Sequence, residues 1–175
     1  NNPRVMSSNA SGFDNTTNSE LRTRFTANLD LSYLLKGLSA NGSATFTLRN
    51  ADEKLFHNTW ATYRYNKTTD KYDFVPGFDF TTGNFLSVQD GYNKYTEEYY
   101  SGQLNYARTF GKHSIGAFVA FEQTSGVSKQ FSAYKRDLVS ANHPDLFSGS
   151  DAGAISTGSA SEFGRLNYFG SISYD

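Results

Sequence analysis

The chain has 175 residues, 16 Lys+Arg against 17 Asp+Glu, and no cysteine. That length suits one sizeable domain, the balanced charge leaves no electrostatic footprint for nucleic acid, and the missing thiols exclude disulfide scaffolds and cysteine-based zinc sites. Aromatics (12 Tyr, 15 Phe, 1 Trp) and 15 Gly fit strands and loops better than helices. No stretch is apolar and long enough for a spanning helix, so any membrane contact has to come from a β-barrel, whose strands hide from hydropathy because every second residue is polar.

The first residues, Asn1-Asn2-Pro3-Arg4, hold neither an initiator Met nor an apolar signal core, and read as an internal piece of a longer chain. Residues 1–18, rich in Asn, Ser, Thr and Gly, read as the tail of a loop. A first strand is predicted over 20–33: Leu21, Phe25, Ala27, Leu29, Leu31 and Tyr33 share one face, and Arg22, Arg24, Thr26, Asn28, Asp30 and Ser32 the other. After Leu34-Leu35-Lys36-Gly37, a second over 38–48 repeats the pattern, with Leu38, Ala40, Ala44, Phe46 and Leu48 opposite Ser39, Asn41, Ser43, Thr45 and Thr47. A long connection, 49–98, carries an expected hairpin of Asn58 to Asn66 and Lys71 to Val75. The third strand, 99–110, sets Tyr100, Leu104, Tyr106 and Phe110 against Ser101, Gln103, Asn105 and Thr109. Gly111-Lys112-His113 turns it into a fourth, 114–122, where Ile115, Ala117, Val119 and Phe121 form the apolar face. A second long connection, 123–162, precedes a fifth strand, 164–175, which stops at Asp175 with Leu166, Tyr168, Ile172 and Tyr174 on one side.

Runs of about a dozen alternating residues exceed the usual 5 to 6 of a soluble strand and match the roughly 9 to 11 of a tilted membrane crossing. Short turns alternate with connections of 40 to 50 residues, as on the periplasmic and extracellular rims of an outer-membrane barrel. The fold expected is therefore all-β, an antiparallel up-and-down meander forming part of a large transmembrane β-barrel with long extracellular loops. Five strands cannot close such a barrel, so the chain is expected to belong to a larger one, and in isolation to associate edge to edge. Arg108 falls on the apolar face but close to the turn, where its charge can reach headgroups. The rival architecture is a soluble β-sandwich in which the apolar faces pack on each other.

Candidate contact residues lie in the first long connection, where Trp60, Tyr63, Tyr65, Tyr72, Phe74, Phe80 and Tyr92 stand out. Self-packing of an ordered loop, docking of a second protein, and stacking on sugar rings all fit that pattern. On the polar faces, Arg22, Arg24, Asn28, Phe118 and Phe169 are candidates for the lumen. No enzymatic role is expected: Glu97 and Glu98 are adjacent and so face opposite ways, and no nucleophile elbow or phosphate loop occurs. His57, His113 and His143 lie far apart, and the Asn66-to-Asp73 turn lacks the Gly and terminal Glu of a calcium loop, so neither metal nor cofactor is expected.

The segments Ser19 to Phe46, Leu104 to Gln123 and Gly164 to Asp175, with the loop piece His143 to Gly153, resemble SusC/RagA-type TonB-dependent outer-membrane transporters. The resemblance implies a 22-stranded barrel with an N-terminal plug that would lie outside these residues. It implies import of oligosaccharides or peptides across the outer membrane of a Bacteroidetes-type Gram-negative cell. Its partners would be a SusD-like surface lipoprotein, the TonB complex and outer-membrane lipid. The alternative reading is a secreted or surface-attached all-β carbohydrate-binding module.

Overall fold

A computed structural model describes residues 7–76 and 85–175 of the chain. Seven strands form: β1 (Gly12–Asp30), β2 (Leu38–His57), β3 (Ala61–Asn66), β4 (Lys71–Pro76), β5 (Ser87–Phe110), β6 (His113–Arg136) and β7 (Ser150–Tyr174). Five of them make one antiparallel sheet in the order β1-β2-β5-β6-β7, with β1 and β7 at its edges, while β3 and β4 pair separately. The fold is thus the antiparallel all-β meander expected from the alternation.

The long strands outrun their predicted limits. Strands were expected at 20–33, 38–48, 99–110, 114–122 and 164–175, whereas β2 runs on to His57, β6 to Arg136, and β1, β5 and β7 begin at Gly12, Ser87 and Ser150. The connections shrink accordingly, to 58–86, which includes the β3–β4 hairpin, and 137–149. The reason is physical. Ladder hydrogen bonds depend on the backbone, whereas the period-two signal exists only where one face meets apolar surroundings and the other meets water.

At the other end, β1 stops three residues early. The Asp30 carboxylate accepts from both the backbone N–H and the hydroxyl of Ser32, and Leu31 O accepts from Leu34 and Leu35 N–H, so the backbone turns where a strand was expected to continue to Tyr33. Gly37 closes this turn with φ +89°. Its carbonyl accepts from Ala107 N–H at 2.9 Å, and a Cβ at this position would lie 2.0 Å from Ala107 O. We expect Gly37→Val to lower the melting temperature of the full-length protein clearly, since left-handed backbone alone costs a non-glycine residue about 1–2 kcal/mol and the clash is with backbone. A melting temperature equal to wild type would contradict this.

The chain divides into two units. One comprises Ser19–Asn50, Asn93–Lys129 and Ala160–Asp175. It carries the apolar stripe, which loses its hydrophobic character next to Ser19 in β1, Asn50 in β2, Glu98 in β5, Gln123 in β6 and Glu162 in β7. From Tyr100 to Phe110 the stripe covers ten residue steps, which at about 3.3 Å each and a tilt of about 35–45° span about 25 Å, the height of an outer-membrane apolar band. Leu29, Leu104 and Ile172 on this stripe are 58%, 41% and 82% exposed, so the covered face that a sandwich requires is not found among the described residues. Aromatic rings mark both ends: Phe46 meets Tyr100 edge-on at 5.8 Å, and the Arg108 guanidinium lies 4.4 Å from the Phe110 ring centroid.

The other unit comprises Asn1–Asn18, Ala51–Tyr92 and Gln130–Ser159. Its core is small: Phe56, Val88 and Leu138 are buried, with Phe13, Leu86 and Leu146 packed against them. Lys54 and Asp145 pair at 2.5 Å, tying β2 to the 137–149 connection. Lys135 donates to Asp151 at 2.6 Å and holds that exposed carboxyl below its ordinary pKa.

Candidate functional site

The hairpin of β3 and β4 is built by turn chemistry. Asn66 Oδ1 accepts from Thr68 N–H at 3.0 Å, its amide donates to Asp73 at 2.8 Å, and Asp70 adopts the left-handed conformation (φ 52°) that Asp tolerates. The register sets Tyr63 opposite Phe74 and Tyr65 opposite Tyr72. The first pair meets edge-on at 5.9 Å and the second is tilted at 5.4 Å, so four aromatic rings form a ladder on one face of the hairpin. Arg64 and Asp73 pair in register on the opposite face.

The ladder is open to solvent. Tyr63 is 66% and Tyr65 47% exposed, and Tyr72 and Phe74 are exposed as well. The Tyr65 hydroxyl donates to Asp70 at 2.6 Å, which pushes its phenol pKa up from the ordinary value. The bond is therefore present at neutral pH and is lost as pH climbs through that raised pKa. Trp60 is half-buried, as is Tyr92, whose ring sits 5.7 Å from that of Phe131. Phe80 lies outside the described residues. Self-packing thus accounts for Tyr92 but not for the hairpin ladder.

Five candidates were expected on the polar faces. Arg22 reaches Glu20 at 3.4 Å, and Arg24 and Asn28 are exposed on the same face of β1. Phe118 and Phe169 meet edge-on at 6.2 Å across β6 and β7, and Phe169 remains 46% exposed. The same faces carry a network that the sequence reading did not single out. Glu20 accepts from Arg49 Nε at 3.1 Å, Arg49 lies 5.7 Å from the Tyr95 ring centroid, Tyr95 donates to Glu97 at 2.5 Å, and Tyr99 donates to Glu122 at 3.1 Å. These partners come from four strands, and apart from Tyr95 and Glu97, two residues apart on β5, only the strand register, absent from local spacing, reveals them. Glu97 and Glu98 bond to Tyr95 and Tyr100 respectively, on opposite faces of β5. Among the described residues no group of three His, Asp or Glu side chains is placed to hold a metal ion.

A sheet with one apolar and one polar face, short turns at one end and an aromatic hairpin set in a long connection defines a segment of barrel wall. No protein-family model matches the sequence, and no curated protein matches it either. Solved structures do match in fold. One is the RagAB peptide transporter, with a TM-score of 0.71 and 13% identity over 92% of this chain. Another is the RagAB peptide importer in its open-open state, with a TM-score of 0.66 and 12% identity over 93% of this chain. The chain spans 16% of the length of each matched chain. Its fold is that of a segment of a RagA-type barrel, in agreement with the SusC/RagA resemblance carried by its strands.

Proposed function

We propose that the chain is part of the barrel wall of a TonB-dependent transporter in the outer membrane of a Gram-negative cell, importing peptides or oligosaccharides together with a SusD-like surface lipoprotein. The observation that carries this reading is the exposed apolar stripe, about 25 Å tall, that runs across all five long strands and faces away from a polar, hydrogen-bonded wall. The stripe meets lipid. The wall, with Arg22, Arg24, Asn28 and the Phe118–Phe169 pair, lines the lumen. The rest of the barrel completes the edges of β1 and β7, which in an isolated fragment would associate with another copy. The solved structures of similar fold are named as peptide transporters, which favours a peptide cargo over a glycan. Loss of labelled-oligopeptide uptake on deleting the full-length protein, and its extraction only with detergent, would support the assignment. A stable, detergent-free aqueous monomer would favour the carbohydrate-binding module instead.

In this reading Tyr63, Tyr65, Tyr72 and Phe74 form a docking surface for the lipoprotein, with Trp60, Tyr92 and Phe80 as supporting candidates. Exposed aromatics held rigid by cross-strand pairing lose little entropy when a partner covers them. The double variant Tyr63→Ser with Tyr72→Ser should lose co-purification of the partner lipoprotein while the barrel still assembles. Undiminished co-purification with an intact barrel would remove the hairpin from the interface.

A further inference from the structure

The stripe is not uniform, and its irregularity has a chemistry. In the unit that carries it, small residues open a groove of about 390 Å³ on the apolar face, lined by Ala40, Gly102, Leu104, Val119, Phe121 and Tyr168. Gly102 is the floor: the Phe121 ring already occupies the space beside it, with Cε1 2.4 Å from where a Cβ would sit. The same face carries Arg108, four residues from Leu104, about 13 Å along the strand. Its guanidinium does not lie toward the groove but over Phe110, on the side of the Gly111-Lys112 turn.

A second cation stands beside it. Gly37 and Ala107 are hydrogen-bonded across β5 and the β1–β2 turn, and a Cβ on Gly37 would lie 3.5 Å from Arg108 Cβ, so the turn that carries Lys36, the residue before Gly37, lies alongside Arg108. Lys112 follows in the next turn. None of the ion pairs among the described residues includes Lys36, Arg108 or Lys112. Like charges placed side by side with no counter-charge repel each other, and a long apolar-stemmed Arg at the rim of an apolar band is the arrangement that reaches for a headgroup.

We propose that this groove and the Lys36–Arg108 pair together form a site for one anionic glycerophospholipid, its phosphate between the two cations and one acyl chain lying against Ala40, Leu104 and the Phe121 ring that covers Gly102. The inference rests on the membrane reading above, and on the short-turn end facing the periplasm, which puts the site in the leaflet where glycerophospholipids reside. Charge complementarity selects an anionic headgroup, and the groove's continuity with the lipid-facing stripe selects a chain-bearing lipid over free phosphate.

The test is native mass spectrometry of the full-length protein, delipidated in detergent and titrated with phosphatidylglycerol or with zwitterionic phosphatidylcholine of the same chains. Wild type should retain phosphatidylglycerol preferentially by about thirtyfold, the order that two basic side chains confer near an anionic headgroup. K36Q/R108Q should abolish the preference and K36R/R108K should keep it. Ala40→Phe, which fills the groove, should reduce retention of both lipids, and glycerol phosphate should not compete. Equal retention of both lipids by wild type, or an unchanged preference in K36Q/R108Q, would overturn the site. Heat-modifiable migration on gels certifies that each variant is folded. Failure of the wild-type protein to insert into vesicles would instead sink the membrane reading itself.

Discussion

Leu104→Arg in the full-length protein is expected to collapse its recovery in the folded, heat-modifiable form, while Asn105→Arg, one residue away, leaves it close to wild type. Leu104 sits on the stripe between Tyr100 and Phe110 and is 41% exposed, with no protein layer over it. In the proposed barrel wall an arginine there would face mid-bilayer hydrocarbon and cost about 2–4 kcal/mol, against about 0–1 near the interface, where Arg108 would sit. Asn105 points to the opposite side, where its amide donates to Asn41 at 2.9 Å. An arginine there remains among polar groups. The contrast matters more than either value, because adjacent residues share secondary structure, strand and depth and differ only in face. Equal loss in both variants, or in neither, would mean that the stripe does not face lipid.

The second large effect is expected at Phe56. In its unit it is buried against Val88 and Leu138 and tilted against Phe13 at 5.4 Å. Phe56→Ala removes a ring from a core too small to close over the gap, and about 3–5 kcal/mol is expected. Because the loss is confined to that unit, limited proteolysis within residues 51–92 and 130–159 should accelerate sharply, whereas Tyr63→Ala on the open ladder should change cleavage little. Unchanged protection in Phe56→Ala would show that the cluster is not what holds these segments.

The contrast between these two sites explains what could be read from the residues. The apolar-striped parts of the long strands, the two short turns and the β3–β4 hairpin were legible, because there each residue's neighbours in sequence report its surroundings: alternation where one face is apolar and the other polar, Asn and Asp where the backbone turns. The strand extensions were not, since most of their residues are polar on both faces, the few apolar ones such as Phe13, Phe56 and Val88 go into a small core, and the pattern fades while the hydrogen-bonded ladder goes on. The Phe56 core was illegible for another reason. Phe13, Phe56, Val88 and Leu138 come from four distant stretches, and in each the apolar residues, such as Leu55-Phe56 or Leu138-Val139, are too few to show a sustained period. The Glu20–Arg49–Tyr95 chain on the polar wall is likewise a product of register. Among the candidates, the exposed ladder of Tyr63, Tyr65, Tyr72 and Phe74 kept together, Phe118 found Phe169, and Arg24 and Asn28 acquired no new neighbour that would assign them a role.

The most direct measurement uses the absence of cysteine from this chain. Single cysteines introduced from Gln103 to Thr109 in the full-length protein, spin-labelled in lipid vesicles, report contact with oxygen dissolved in hydrocarbon at each position. A lipid-facing stripe predicts oxygen accessibility that peaks at 104, 106 and 108 and falls at 103, 105, 107 and 109. A flat profile, or one with the opposite phase, would contradict it.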